Sequence, residues 1–356
     1  MRDFALAAEV EELCAAADRL GRSTLAPAVR DHEEAGAWPA SVTDVLDGFP
    51  LGGLDLPESL GGVDAGCLTK VVVLETLALH DAAGLAAADR TGPTVGALAA
   101  CPDRALAAKV AASLLAGEAC TAFTVPDEEL GSTELFWGPS NPPLRWIWTC
   151  AGTELALLEV TGPVTPAKVL AFQASGGVAV PFASTTERGR WDIGAHAALA
   201  VRGRARLWGA AIAVGVAEAA LQETLQYTTD RVVFGKPVAH HQGNAFDLAF
   251  AASRVHASRL VVRDAAASFD RGEPDAGFWA TQAWLEAMEN AFLVTDIGIQ
   301  LLGGHGFIVD HLAEKRFREC RHLVMLAGAL DAAEADVAAV VLDVPDALLA
   351  GLEQQR

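Results

Sequence analysis

The sequence predicts a mainly α-helical protein that contains a small β domain. Alanine is abundant and 52% of the 356 residues are hydrophobic, a composition that favours closely packed helices. Runs typical of β-strands lie between Cys120 and about Ala200, among clustered prolines and glycines. From about Arg204 onward, apolar residues recur at spacings of three and four, which predicts long helices.

These patterns predict three domains in the order helical, β and helical. The chain is too long for one compact core and long enough for two or three domains. Helical stretches broken by glycine and proline predict an N-terminal helical domain over residues 1–118. The runs WIWTC, LALLEV and GVAVPF predict a shortened β domain over residues 119–203. Residues 204–356 are predicted to form a C-terminal helical bundle.

The bundle prediction depends on small residues that recur along one helix face. Such residues allow neighbouring helices to approach closely. The first predicted face carries Trp208, Ile212, Gly215 and Ala219, and the second carries Ala283, Ala287, Ala291, Val294, Gly298 and Leu301.

Charge and composition exclude several classes of partner and location. The formal net charge of -20 would repel nucleic acid and anionic membranes. The first residues, MRDFALAAEVEELC, are charged throughout and do not read as a signal peptide, and no run reaches the roughly 18–20 apolar residues of a membrane span. Six scattered cysteines without CxxC spacing indicate reduced thiols. We therefore expect a cytoplasmic protein.

The first motif that carries chemistry is YTTDRVVFGKP at residues 227–237, followed by His241 and Gln242. A long helix is expected to end near Thr229, and a new one to begin around His240. At such a corner, the guanidinium of Arg231 suits a pyrophosphate and the ring of Phe234 offers a flat face to a ring system. A helix connection with a capping arginine is the alternative interpretation.

The second motif is QLLGGHGF at residues 300–307. Its glycines, Gly303, Gly304 and Gly306, are expected to close a helix and to expose backbone N–H groups to a phosphate or a flavin edge. An ordinary helix C-cap is the alternative. His240, His241 and His305 lie near the motifs without the spacing of a metal site, so capping or core packing is expected for them.

In this order and at this separation, the two motifs resemble the C-terminal domain of the acyl-CoA dehydrogenases, with its R-x-x-F-G-K-P…Q and Q-x-x-G-G-x-G signatures. Two further segments are similar to the family, EKRFRECR at 314–321 and LPESLGG at 56–62. The resemblance implies a helical domain, a β domain and a four-helix C-terminal bundle, assembled as a tetramer. It also implies FAD bound across a dimer interface, with its flavin ring in the neighbouring subunit. The cofactor-binding residues implied in this chain are Arg231, Phe234, Gln242, Gln300, Gly303 and Gly304.

The chain departs from the family at the catalytic base. Removal of an α-proton from an acyl-CoA requires a carboxylate beside that carbon. The family places this glutamate at one of two positions, which here correspond to Ala205 in RARLW and Ala327 in MLAGA. Both are alanine, so no catalytic residue is predicted in this chain. Asp331 and Glu334 follow downstream and are expected on a solvated helix face.

The middle zone departs as well. The segment FTVPDEELGST at 123–133 matches the family's T-E-P-x-A-G-S-D only at Thr124, Pro126, Gly131 and Ser132. The family's W-I-T-N strand is matched loosely by WIWTC at 146–150. The half of the flavin site that a chain provides for itself is thus reduced, whereas the half that it donates across the interface is retained.

This pattern resembles the base-lacking subunit of the α2β2 acyl-CoA dehydrogenases of actinobacteria, which act on CoA thioesters of steroid side chains. It implies a homologous partner that carries the catalytic glutamate, binds the acyl-CoA and shares one FAD with this chain. An electron-transfer flavoprotein is the electron acceptor that the family suggests. Two alternatives stay open: a self-sufficient homotetramer with a relocated carboxylate, and a flavin-free scaffold protein.

Overall fold

Helices form most of the computed structural model, which describes residues 5–37, 42, 45, 48–126, 135–138 (backbone only) and 142–342. The predicted fold class, mainly α with a small β domain, is confirmed. Within these ranges, each helix is too short or too polar to cross a membrane.

The N-terminal region is built from short helices, two of which have acidic caps. Asp81 accepts hydrogen bonds from the N–H groups of Ala83 and Gly84, and Asp103 accepts one from Leu106, so each carboxylate fixes where a helix begins. The helices are α1 (Ala8–Leu20), α2 (Val29–Ala35), α3 (Cys67–Ala78), α4 (Ala82–Ala88), α5 (Val95–Ala100) and α6 (Arg104–Leu115).

The β region contains two small sheets. The strands are β1 (Cys120–Thr124), β2 (Leu135–Gly138), β3 (Leu144–Ala151), β4 (Glu154–Val160), β5 (Thr165–Pro166), β6 (Val178–Pro181) and β7 (Thr185–Asp192). One sheet has the order β1-β3-β4-β7, with β1 parallel to β3 and the other pairs antiparallel, and the second has the order β2-β6-β5. The three predicted runs form β3, β4 and β6. Strand β7 was not predicted, because its residues are largely polar and exposed or half-buried.

The C-terminal region contains the longest helices. They are α7 (Ala195–Asp230), α8 (Gln242–Asp270), α9 (Ala276–Leu302), α10 (Ala313–Leu323) and α11 (Ala329–Val341). Helix α7 begins nine residues before the predicted start at Arg204, because the helix follows directly from β7. The predicted small-residue faces of α7 and α9 are largely buried.

Close backbone contacts show why small residues line α7. A Cβ atom at Gly215 would lie 2.4 Å from the backbone oxygen of Glu75 in α3, and one at Gly203 would lie 2.8 Å from that of Gly277 in α9. The N-terminal helices and the bundle therefore share one hydrophobic core. Asp270, at the end of α8, strengthens this junction by accepting hydrogen bonds from the first two N–H groups of α3.

Candidate functional site

The first motif forms an exposed hairpin directly after α7. Strands β8 (Val232–Val233) and β9 (Lys236–Pro237) pair antiparallel, and the turn between them is Phe234–Gly235. Both turn residues have positive φ, 50° and 79°, as in the tight two-residue turns that connect the strands of β-hairpins. The ring of Phe234 is 93% exposed. A bulky residue is thus held in a left-handed conformation with its side chain in solvent, which is unusual unless a partner or ligand uses the ring.

The ends of the hairpin are anchored at the helix termini. The N–H of Arg231 donates to the oxygen of Tyr227 at 2.9 Å, and the ring of His241 bonds the oxygen of Val233 at 3.1 Å. Gln242 is exposed and begins α8, whose first N–H groups and dipole favour an anion. The hairpin therefore presents Arg231 beside a helix end suited to phosphate.

The second motif folds into a short 3₁₀ turn, Gly303–Phe307, after α9. Gly303 has φ 60° and ψ −133°, a conformation that glycine alone adopts easily. A Cβ at Gly306 would lie 2.5 Å from the oxygen of Ile299, so this residue packs against α9. A Cβ added at Gly303 or Gly304 would meet no atom of the described residues within 4 Å, so both glycines are open to a ligand.

The structure brings the two predicted motifs to the same end of the bundle. A hydrogen bond of 3.0 Å joins the Tyr227 hydroxyl, at the end of α7, to Nδ1 of His305 in the glycine turn. The six predicted cofactor-binding residues are all exposed, namely Arg231, Phe234, Gln242, Gln300, Gly303 and Gly304. Their arrangement fits part of a dinucleotide, with a cation, a ring and an open glycine backbone on one surface. Their role in binding FAD remains a prediction.

The two positions predicted to correspond to the family's base lie in a different environment. Ala205 and Ala327 are 1% and 4% exposed and belong to one apolar cluster. Trp148 of β3 is in the same cluster and is fully buried. Apolar side chains thus occupy the region, and neither alanine provides a proton acceptor.

A carboxylate that the sequence did not single out is bound by two arginines close to Ala205 in α7. Asp336 of α11 pairs with Arg202 at 2.6 Å and with Arg206 at 2.5 Å, and these arginines flank Ala205 on α7. The carboxylate is thereby engaged by two guanidinium groups and serves to hold α11 against α7. Asp331 and Glu334 are exposed on α11, as predicted for a solvated face.

A cleft beside α7 is crossed by buried ion pairs. Arg204 bonds Asp55 at 2.6 Å and Lys70 bonds Asp89 at 2.8 Å, while the indole N–H of Trp208 donates to Asp89 at 2.7 Å. The cavity in this cleft has a volume of about 20 Å³, room for about one water molecule and far below the roughly 300–1,000 Å³ of ligand pockets. Its charged groups are paired with one another, so the cleft is poorly suited to an apolar acyl chain.

The remaining reactive groups near the cleft are inert. Burial raises the pKa of the Cys67 thiol to about 12, so this cysteine is not a thiolate nucleophile at neutral pH. In the part of the chain that the structure describes, no group of His, Cys, Asp and Glu side chains could hold a metal ion. Of the predicted remnants of the flavin cradle, Thr124 ends β1, whereas Gly131 and Ser132 lie outside the described residues.

The arginines of α10 are used within the chain. Arg316 pairs with Glu223, and Arg318 pairs with Glu33 and Glu314 at 2.7 Å each. The spacing of Arg316, Arg318 and Arg321 in the sequence predicts that they partly line a nucleotide or subunit surface, with intersubunit ion pairs as the alternative. The structure instead assigns Arg316 and Arg318 to ion pairs that attach α10 to α7 and α2.

Known protein families match this chain in two separate parts. The acyl-CoA dehydrogenase N-terminal domain model matches residues 7–118, and the C-terminal domain model matches residues 192–342. The probable acyl-CoA dehydrogenase FadE25 of Mycobacterium tuberculosis is 28% identical over 357 residues, covering 89% of this chain and 91% of that protein. Cyclohex-1-ene-1-carbonyl-CoA dehydrogenase of Geobacter metallireducens is 39% identical over 116 residues, covering 33% of this chain and 30% of that protein.

Solved structures share the fold along nearly the whole chain. Butyryl-CoA dehydrogenase from Megasphaera elsdenii superposes with a TM-score of 0.79 at 21% identity, covering 96% of this chain and 100% of that one. A G363A variant of the Tcur3481-Tcur3483 steroid ACAD superposes with a TM-score of 0.74 at 21% identity, covering 94% and 98%.

Proposed function

We propose that this chain, which belongs to the acyl-CoA dehydrogenase family, is the non-catalytic subunit of a hetero-oligomeric FAD-dependent acyl-CoA dehydrogenase. Its partner is a homologous subunit that carries the catalytic glutamate and binds the acyl-CoA, in an α2β2 assembly. One observation carries the proposal: the retained cofactor motifs are on the outside of the chain, whereas both base positions are buried alanines.

Within this assembly, each exposed residue has a role that its chemistry supports. Arg231 pairs with the pyrophosphate of FAD, and the cofactor approaches the backbone of Gly303 and Gly304 at an open surface. The ring of Phe234 packs against the cofactor and loses its exposure to solvent. When bound, FAD would supply the hydride acceptor for the substrate, and a carboxylate of the partner would take the α-proton.

The substrate in this proposal is a CoA thioester, with a steroid side chain as the more specific suggestion. Two findings support it. The cleft of this chain is crossed by the Arg204–Asp55 and Lys70–Asp89 ion pairs, which leaves the acyl group to the partner. The fold is also shared with the Tcur3481-Tcur3483 steroid ACAD.

Co-expression tests the proposal. The chain is produced alone and together with a homologous acyl-CoA dehydrogenase subunit that carries the glutamate, and flavin absorbance is measured per protein. We expect little flavin in the lone chain and about one FAD per heterodimer in the complex. Turnover of a steroid side-chain CoA thioester is then compared with that of a straight-chain acyl-CoA, using an electron-transfer flavoprotein as acceptor.

Each other outcome identifies an alternative. Stoichiometric flavin and turnover from the lone chain would establish a self-sufficient homotetramer, and an Asp336→Asn variant would then test the carboxylate that pairs with Arg202 and Arg206 on either side of Ala205. Absence of flavin from both preparations would identify a flavin-free scaffold protein. Equal turnover of both substrates would leave the subunit role intact and overturn the steroid suggestion.

A further inference from the structure

Tyr227, the single tyrosine of the chain, contacts both cofactor motifs. Its backbone oxygen accepts the hydrogen bond from the N–H of Arg231 at 2.9 Å, and its hydroxyl bonds Nδ1 of His305 at 3.0 Å. The two rings also approach with their centroids 5.6 Å apart. Tyr227 thus bonds Arg231, at the start of the hairpin, through its backbone, and bonds the glycine turn through its side chain.

A second histidine supports this contact from the loop after the turn. The ring of His311 meets the rings of Tyr227 and His305 edge-on, at 5.6 Å in both cases. Glu223 of α7 lies 3.5 Å from Nδ1 of His311 and pairs with Arg316 of α10. The backbone of the same loop is fixed by Arg30, which donates to the oxygens of Val309 and His311. The rings are therefore held from α7, α10 and the N-terminal region.

The glycine turn has few other restraints at its open side. The space beside Gly303 and Gly304 is open, and a glycine peptide loses much conformational freedom when a ligand orders it. Gly306 is packed on α9, so His305 is the residue between the open and the packed parts of the turn. A contact at His305 therefore decides how well the open glycine backbone is ordered in advance.

We propose that the Tyr227–His305 hydrogen bond, here called the clasp, sets the distance between the hairpin and the glycine turn. Tyr227 and His305 are positioning residues for FAD and do not touch the reacting atoms. The inference rests on the proposed function, because it assumes that FAD occupies both segments. Loss of the clasp lowers the affinity for FAD and leaves the fold intact, since His305 is exposed.

A first experiment tests the clasp without any partner. The lone chain labelled with [¹³Cζ]tyrosine gives one tyrosine NMR signal, because it contains one tyrosine. A His305→Leu substitution should shift this signal, and His305→Asn, whose amide replaces Nδ1, should restore it toward the wild-type position. His256→Leu changes an exposed histidine on α8 and should leave the signal unchanged. An unmoved signal in His305→Leu would show that the hydrogen bond does not form and would overturn the proposal.

A second experiment tests the role in the co-expressed complex. Each of Tyr227→Phe and His305→Leu should weaken FAD binding about fivefold, the effect of one hydrogen bond. The double variant should be no weaker than either single one, because both remove the same contact. His305→Asn should recover most of the affinity, and His256→Leu should match the wild type. Thermal unfolding of all variants confirms that they fold alike.

The outcomes separate the clasp from the proposed function. A wild-type complex that binds FAD and variants that bind it equally well would overturn the clasp alone. Additive losses in the double variant would also overturn it, because independent effects on the two segments would then explain the data. A wild-type complex without FAD would overturn the proposed function and the cofactor role of the clasp together.

Discussion

The middle of α7 and the segment that follows its end differ in what covers their side chains. Ala205, in the middle, is 1% exposed and packed in an apolar cluster, whereas Phe234, just beyond the end, is 93% exposed. Both environments contain a residue with φ of 50°, Ala327 in the cluster and Phe234 in the hairpin. Burial stabilises Ala327 in this conformation, whereas the ring of Phe234 stays in solvent. The difference indicates that the interior is arranged for folding and the exposed end for binding.

The largest expected effect is that of Ala205→Glu. If the interior were an active site that lacks only its base, this substitution would create activity there, and the contrast with the exposed end would be lost. The cluster around Ala205 is apolar, and the neighbouring Arg202 and Arg206 are already paired with Asp336, so we expect a loss of about 3–5 kcal/mol of unfolding free energy and no gain of turnover. Denaturant unfolding of the lone chain measures this loss. The matched control is Ala195→Glu, at the exposed start of the same helix, where a negative charge should be neutral or slightly favourable. A stable, active Ala205→Glu variant would show that the interior is a latent catalytic site.

The next effect concerns the exposed end. Arg231→Ala should weaken FAD binding to the complex by about 1.5–3 kcal/mol, the contribution of a charge-assisted hydrogen bond, without changing the stability of the lone chain. Fluorescence titration of the apo complex with FAD measures the affinity. Arg271→Ala is the control, because Arg271 follows the other end of α8, about 40 Å along the helix axis from Gln242. An equal loss in both variants would indicate a general electrostatic effect of removing positive charge.

The smallest expected effect is a change in stability, and its sign shows whether the exposed hairpin is strained. Phe234→Asn should stabilise the lone chain by about 1 kcal/mol, because asparagine followed by glycine suits a turn with two positive φ values. The same variant should bind FAD more weakly, because the ring is lost. Phe246→Asn provides the control, since Phe246 is exposed within α8 and has no positive φ to relieve. Thermal unfolding and FAD titration are measured for both variants, and destabilisation by Phe234→Asn would contradict the idea of strain kept for binding.

Local patterns in the sequence were sufficient for much of this fold. The runs that became β3 and β6 combine β-branched and aromatic residues, the run that became β4 is rich in leucine, and the faces of α7 and α9 carry small residues at helical spacing. Strand β7 was missed because hydrogen bonds to β4 hold largely polar residues in a strand. The start of α7 was placed at Arg204 instead of Ala195, because a strand that leads directly into a helix leaves little local signal at the boundary.

The sequence by itself determined the family and the helical and β zones, and it predicts that alanines occupy the base positions, because these depend on residue identity and spacing. Only the tertiary structure decided that Asp336 is bound by two arginines, that the Arg204–Asp55 ion pair crosses the cleft and that Tyr227 joins the hairpin to the glycine turn. These contacts link residues that are 78 to 149 positions apart. Their formation depends on how helices pack, and no local pattern records which distant side chains the packing will bring together.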